Sequence, residues 1–158
     1  HENVQGALDA GIKVGVYFFS QAITVEEAIE EAEFVLELLD GLEIDGPVAY
    51  DWEMHDSSYR VYGTPPEMAT ACAVAFCQRI EEAGYEAMIY AGQYVSYIKY
   101  DQGAIEPYLS WYPEYKGENS EKLYPTFYYQ MDYWQYSSNC TVDGIGGRVD
   151  ANLHFIPR

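Results

Sequence analysis

The chain has 158 residues, 49% of them hydrophobic, and a formal net charge of −18. That length fits one domain and buries a sizeable core, roughly 70% of the unfolded chain's surface, so a disordered chain is excluded. The acidity argues against a nucleic-acid partner, whose phosphates need a basic face, and no run approaches the roughly 20 apolar residues of a membrane span.

The opening stretch, HENVQGALDAG, starts without Met and reads as a helix tail, so it looks cut. No signal peptide is visible in it. Gly11 suits the position just after a helix, and the apolar run Val14–Phe19 follows as a strand. Thr24 and Glu27 then form a capping box, with Ala28, Ala32, Val35, Leu36 and Leu39 along one helical stripe and Gly41 at its end. A short strand runs into Asp51 and Glu53. Thr64-Pro65-Pro66-Glu67 opens the next helix, with proline in its first turn, and that helix should reach about Ala83. Gly84 ends it, and Ala87–Ala91 is the third strand. These strands are continuous apolar runs, as in parallel sheets buried on both faces. The alternation of helix and strand predicts an α/β fold with a parallel sheet.

After Gly92 the pattern changes. GQYVSYIKY is at most a short helix. YLSWYPEY, TFYYQMDYWQYS and GRVDANLHF read as strands with no full helices between them. There is no low-complexity linker, so residues 1–158 read as one domain. The three cysteines, Cys72, Cys77 and Cys140, form no C-x-x-C pair and give neither a disulfide framework nor a zinc site; they read as packing residues.

The stretch PVAYDWEMHD, residues 47–56, carries the chemistry. Strand side chains alternate, so Asp51, Glu53 and His55 share one face, with neighbouring Cα atoms roughly 7 Å apart. In α/β folds, sites lie at the carboxyl ends of parallel strands. A solvated strand end is the plain reading of a D-x-E triplet. A metal site is a second, since Asp, Glu and His all ligate metals, but the chain has only three histidines and no histidine motif. The third is a carboxylate pair, in which one acid raises the pKa of its neighbour, as glycosidases require. The 17 tyrosines sharpen the choice. They suit half-buried strands, but amphipathic rings also line ligand grooves. Trp111, Tyr115, Trp134, Gln135, Tyr136, Asp150 and Asn152 fall at or near predicted strand ends, and aromatic faces with carboxylates and amides suit a sugar groove.

These motifs resemble those of the family 25 glycoside hydrolases, the Chalaropsis-type lysozymes or N-acetylmuramidases. AGIKVGVYFFSQA resembles that family's third strand and GPVAYDWE its fourth, the carrier of D-x-E. AGYEAMIYAGQ resembles the fifth. YLSWYPEY resembles the sixth, with pattern W-x-A-x-Y. YWQYSSNCTVDGIGGRVDAN resembles the seventh and eighth. The resemblance covers nearly the whole chain. It implies a (β/α)5β3 TIM-like barrel, incomplete at the N-terminus, and a single catalytic domain over 1–158. It implies hydrolysis of the β-1,4 bond between N-acetylmuramic acid and N-acetylglucosamine in peptidoglycan, at an extracellular or cell-wall location, with no cofactor and no metal. Glu53 becomes the general acid. Asp51 becomes the carboxylate that assists the substrate's N-acetyl group or stabilises the developing cation, and Asp150 a further active-site carboxylate. Tyr17, Tyr90, Trp111, Gln135 and Asn152 become groove residues. Trp111 and Trp134 are stacking platforms or, equally, core residues under the strand ends.

The chain departs from the family pattern at Pro113, where the sixth-strand motif has a small residue, and at Asn139 and Cys140, where Ser or Gly is usual. Nothing matches the first-strand G-x-D-x-S motif and its aspartate. The intact D-x-E favours an enzyme, whereas the unmatched first strand favours a catalytically silent glycan-binding module on the same fold. It also predicts weak activity from this chain by itself, and an edge at Val14–Phe19 that recruits either further polypeptide or a second copy into an oligomer.

Overall fold

The computed structural model describes residues 1–116 and 124–156. Helix α1 (Glu2–Asp9) precedes strand β1 (Val16–Phe19), helix α2 (Val25–Leu39), strand β2 (Val48–Asp51), helix α3 (Pro66–Glu82) and strand β3 (Ala87–Tyr90). Two short helices, α4 (Gln93–Ile98) and α5 (Gln102–Ile105), lead to strands β4 (Leu109–Pro113), β5 (Tyr133–Cys140) and β6 (Val149–His154). The strands form one sheet in chain order; the pairs from β1 to β5 are parallel, and β5 with β6 is antiparallel.

The helix signals act as local chemistry requires. The Thr24 side chain accepts from the Glu27 N–H at 3.3 Å, while the Glu27 carboxylate accepts from the Ile23 N–H at 2.9 Å. Together they satisfy donors that the first helical turn leaves free. Ala28, Ala32, Val35 and Leu39 are buried along α2, and α2 packs on α3 over the convex side of the sheet. Phe76 of α3 meets the Tyr50 ring at 5.0 Å. Trp52 is fully buried there too, and its indole N–H donates to the Ala22 carbonyl at 3.1 Å. Gly11, Gly41 and Gly84 take positive φ after α1, α2 and α3, where a side chain would be strained.

The sheet is curled. Adjacent strands lie about 4.8 Å apart, so β1 and β4 are three spacings apart along it. Nevertheless the rings of Tyr17 on β1 and Trp111 on β4 are only 6.3 Å apart, and Trp111 reaches Asn152 on β6. Side chains from both ends of the sheet converge on one concave face.

The strands depart from the sequence expectation in places. β1 starts at Val16, not Val14, because residues 14–15 and 46–47 cross at very close range. A Cβ on Gly15 would lie 2.7 Å from the Pro47 carbonyl oxygen, and one on Gly46 2.8 Å from that of Val14. β2 and β3 are buried at every position, but β1 alternates, with Tyr17 62% and Phe19 41% exposed on the concave side. Among the described residues β1 pairs only with β2. Residues 126–132 are not strand. There the Thr126 N–H donates to the Glu114 carboxylate and the Tyr128 N–H to the Tyr97 hydroxyl, so donors a ladder needs are spent on side chains.

Candidate active site

The register of the sheet builds the site. Phe19 lies opposite Asp51, Asp51 opposite Tyr90, Tyr90 opposite Trp111, Trp111 opposite Tyr133 and Tyr133 opposite His154. One row therefore crosses the whole sheet. Phe18, Tyr50 and Ile89, one residue earlier in β1, β2 and β3, point the other way into the core.

Asp51 is the last residue of β2. It is 7% exposed, and its Oδ1 has no hydrogen-bond partner among the described residues. Burial, and secondly the charge of Glu53, push its carboxyl up to about 7. The Ser20 N–H fixes its backbone by donating to the Asp51 carbonyl at 2.7 Å. Glu53 lies two residues on, past β2. Its side chain is 28% exposed, and its Oε2 lies 3.2 Å from His55 Nε2. His55 also meets the Tyr59 ring edge-on at 5.1 Å. The pair is thus unequal: one carboxyl buried and protonated until near neutrality, the other open to solvent beside an imidazole.

Across the groove, the hydroxyls of Tyr90 and Tyr115 both donate to Gln135 Oε1, at 3.0 and 2.6 Å. Gln135 Nε2 donates to Asp150 Oδ2 at 3.1 Å. Burial raises both phenols, and the charge of Glu53 adds to each; Asp51 acts further on Tyr90 and Asp150 on Tyr115. They remain neutral donors. Trp111 sits edge-to-face against Tyr90, centroids 4.8 Å apart, and against Tyr17 on its other side. Its indole N–H donates to Asn152 Oδ1 at 2.8 Å. A hollow of about 470 Å3 continues beneath it toward the amino ends of the strands, lined by Tyr17, Met88, Trp111, Tyr133, Asn152 and His154 among others.

The structure thus gathers Asp51, Glu53, Asp150, Tyr17, Tyr90, Trp111, Gln135 and Asn152 on one face. Trp134 does not join them. It is 5% exposed, shares the opposite face with Tyr112, and donates its indole N–H to the Glu114 carbonyl at 2.9 Å. Of the two readings the sequence left open for Trp134, its position is the core one. Tyr133 and His154 belong to the groove but were not singled out for it. Stepping back by two from Gln135 gives Tyr133; the Tyr133 and His154 rings stack at 4.2 Å and 6°. Among the described residues, no group of three or more His, Cys, Asp or Glu could hold a metal ion. No helix among them is long and apolar enough to cross a membrane.

Comparison with known proteins agrees with this architecture. The family model described as Glycosyl hydrolases family 25 matches residues 1–145. Among solved structures, the chain is similar to the spore cortex lytic enzyme SleM of Clostridium perfringens, with a TM-score of 0.79 and 20% identity over 97% of this chain and 52% of that one. It is similar to the CTP1L endolysin, with a TM-score of 0.76 and 21% identity over 98% of this chain and 51% of that one. It is also similar to the modular autolysin LytC of Streptococcus pneumoniae, solved with a synthetic peptidoglycan ligand, with a TM-score of 0.78 and 21% identity over 96% of this chain and 36% of that one. The chain thus spans about half the length of the first two and about a third of the last. No curated protein sequence matches it.

Proposed function

The chain belongs to glycosyl hydrolases family 25, and from that membership we propose that it is the catalytic unit of a muramidase. The bond cleaved is the β-1,4 linkage between N-acetylmuramic acid and N-acetylglucosamine in peptidoglycan, outside the cell or in its wall. The curled sheet is the corresponding part of a (β/α)5β3 barrel, and residues 1–158 act as one catalytic domain. The observation that carries this reading is the unequal pair Asp51 and Glu53 at the carboxyl end of β2, facing the Trp111 platform.

Glu53 is the member that reaches the groove, so it protonates the departing glycosidic oxygen. At rest the pair holds its proton on buried Asp51. A sugar in the groove displaces the water around Glu53 and leaves its carboxyl beside the glycosidic oxygen. The Glu53 carboxyl gives its proton to the leaving oxygen as the C–O bond breaks, and Asp51 in its carboxylate form faces the positive charge at the anomeric carbon. Asp51 steadies that charge, directly or through the substrate's N-acetyl group. A water molecule then adds to that carbon and returns a proton to Glu53. Asp150, Gln135 and Tyr115 position the sugar's polar groups, and Trp111 carries its apolar face. Digestion of purified peptidoglycan, followed by borohydride reduction and mass spectrometry, tests the bond assignment. Reduced muramic acid at the new chain ends is expected; reduced glucosamine would reject it. A silent module would bind the same polymer and release nothing.

Trp111 should report occupancy of the groove. Tryptophan emission is expected to change on titration with chitotetraose, to lose that response in Trp111→Phe and to keep it in Trp134→Phe. The reverse pattern would remove Trp111 from the groove wall.

A further inference from the structure

The convex side of the sheet holds a second hollow, of about 270 Å3, that the proposed reaction does not use. Ser110 of β4 lines it, and strand alternation turns Ser110 away from its neighbour Trp111. The thickness of the sheet therefore separates this hollow from the concave groove. Tyr108, Phe127 and Tyr129 supply rings, and Gln102, Gln130 and Ser110 supply amides and a hydroxyl.

The aromatic wall is held in place by its neighbours. Phe127 stacks on buried Tyr112 at 4.4 Å and 15°. It meets Tyr97 at 5.6 Å and Tyr129 at 5.7 Å, and Tyr97 meets Tyr129 at 5.8 Å. The Tyr128 N–H donates to the Tyr97 hydroxyl at 3.1 Å, which ties this segment to α4. Tyr129 nevertheless stays 50% exposed. A ring clamped among others yet open on one side is what a stacking surface needs, and the core gains little from it. The polar side is also fixed. Gln102 Nε2 donates to the Ser96 carbonyl at 2.5 Å, and Asp132 accepts from the Ser110 N–H at 2.9 Å and from Gln130 Nε2 at 3.4 Å.

The lining residues decide the ligand class. Among the described residues they include Glu106 and no Lys or Arg, in a chain of net charge −18, so phosphates and other anions are disfavoured. A purely apolar ligand would strip water from the amide oxygens of Gln102 and Gln130 and from the Ser110 hydroxyl, at a cost. The volume is below the roughly 300–1,000 Å3 of a drug-sized site. A single pyranose unit meets all three conditions, with C–H groups on one face for the rings and hydroxyls around its edge for the amides. We propose that the hollow walled by Tyr129, Phe127, Gln102 and Ser110 is a second saccharide site, which takes one sugar unit of a neutral glycan on the side of the sheet remote from Glu53. It would hold the protein on a polymer while the groove engages another stretch.

The site stands apart from the catalytic reading, and only the choice of probe rests on that reading. The test is titration of the isotopically labelled chain with chitotetraose, followed by amide NMR. The Ser110 amide and the side-chain amides of Gln102 and Gln130 should shift and saturate, and should do so equally in Trp111→Ala. Tyr129→Ala, at a half-exposed position, should weaken that affinity about three- to tenfold, as loss of one aromatic contact would. Ser110→Ala, which removes one hydroxyl, gives a second variant with little risk to folding. Shifts confined to the surroundings of Trp111, or convex-face shifts that vanish in Trp111→Ala, would overturn the second site. The same amides responding to a diaminopimelate-containing peptide but not to chitotetraose would overturn its ligand class. Convex-face binding without peptidoglycan cleavage would leave this site standing and remove the muramidase reading alone.

Discussion

Glu53→Gln is expected to lower peptidoglycan cleavage by about 10²–10⁴-fold, the usual cost of losing a general acid. The substitution keeps the shape of the side chain and removes its acidity. Glu53 lies beyond the end of β2 with 28% of its side chain exposed and His55 as its neighbour, so little of the core depends on it. The thermal midpoint should therefore change little while turnover collapses. Binding of chitotetraose at Trp111 should persist, because the platform is built from Tyr17, Tyr90 and Asn152 and not from Glu53. The measurement is turbidity clearing of purified peptidoglycan beside a calorimetric scan. Retention of most of the activity in a folded variant would remove Glu53 from the role of proton donor.

The variant also separates two functions of the neighbouring histidine. His55 lies 3.2 Å from the Glu53 carboxylate, and its own side chain is 56% exposed. An exposed pair of this kind contributes little to stability. Its value lies in orientation, since it draws the Glu53 carboxylate toward the loop that follows β2. That loop is anchored in turn by Arg60, whose guanidinium donates to both oxygens of Glu27 at 2.9 and 2.5 Å and to the Gln21 carbonyl at 2.9 Å.

How far the sequence could be read depended on the range of the interactions involved. Helices α2 and α3 were legible because Thr24, Glu27 and Pro66 act within one turn of the residues they serve. The buried strands β2 and β3 were legible because a continuous apolar run suits a strand buried on both faces. The sequence grouped Asp51 with Glu53 by strand alternation, but β2 ends at Asp51, so the side on which Glu53 lies is set by the segment that follows the strand. What could not be read locally was the partner of each side chain across the sheet. Trp111 and Trp134 have similar settings in the sequence, each aromatic-flanked and near a strand end. They separate because register puts Trp111 in one row with Asp51 and Tyr90, while Trp134 falls opposite buried Tyr112. Residues 126–132 misled for a related reason. Their composition is that of a strand, but Glu114 and Tyr97, distant in sequence, take the donors of Thr126 and Tyr128. The motif resemblance gave the set of groove residues, but not which member of the carboxylate pair is the buried one.

That asymmetry leads to the second large effect, Asp51→Asn. Burial and the charge of Glu53 push the Asp51 carboxyl up to about 7 from an ordinary value of 3.8. The folded state thus favours the protonated form. Its contribution to stability is complete below about pH 4 and is lost as pH rises through 7, where the fold must carry a buried charge. Asparagine cannot ionise, so the substitution should be nearly neutral in stability at pH 4 and stabilising at pH 8. At about 1.4 kcal/mol for each pH unit of displaced ionisation, the upper limit is on the order of 4 kcal/mol. Even a quarter of that would raise the melting temperature by about 2–4 °C in a chain of this size. Activity should move the other way. Turnover falls because no carboxylate remains to steady the developing cation, while chitotetraose still binds at Trp111. The pH dependence of the residual rate should shift as well. The wild-type profile reports the pair as a unit, with a limb near pH 7, and removal of the like-charged neighbour moves the surviving limb to lower pH. Melting curves at pH 4 and pH 8, with rate profiles for both proteins, decide the matter. A stability change that is the same at both pH values would mean that Asp51 carries no buried charge. A profile that drops in height without moving would mean that the two carboxyls titrate independently, and the pair would no longer act as a single proton-holding unit.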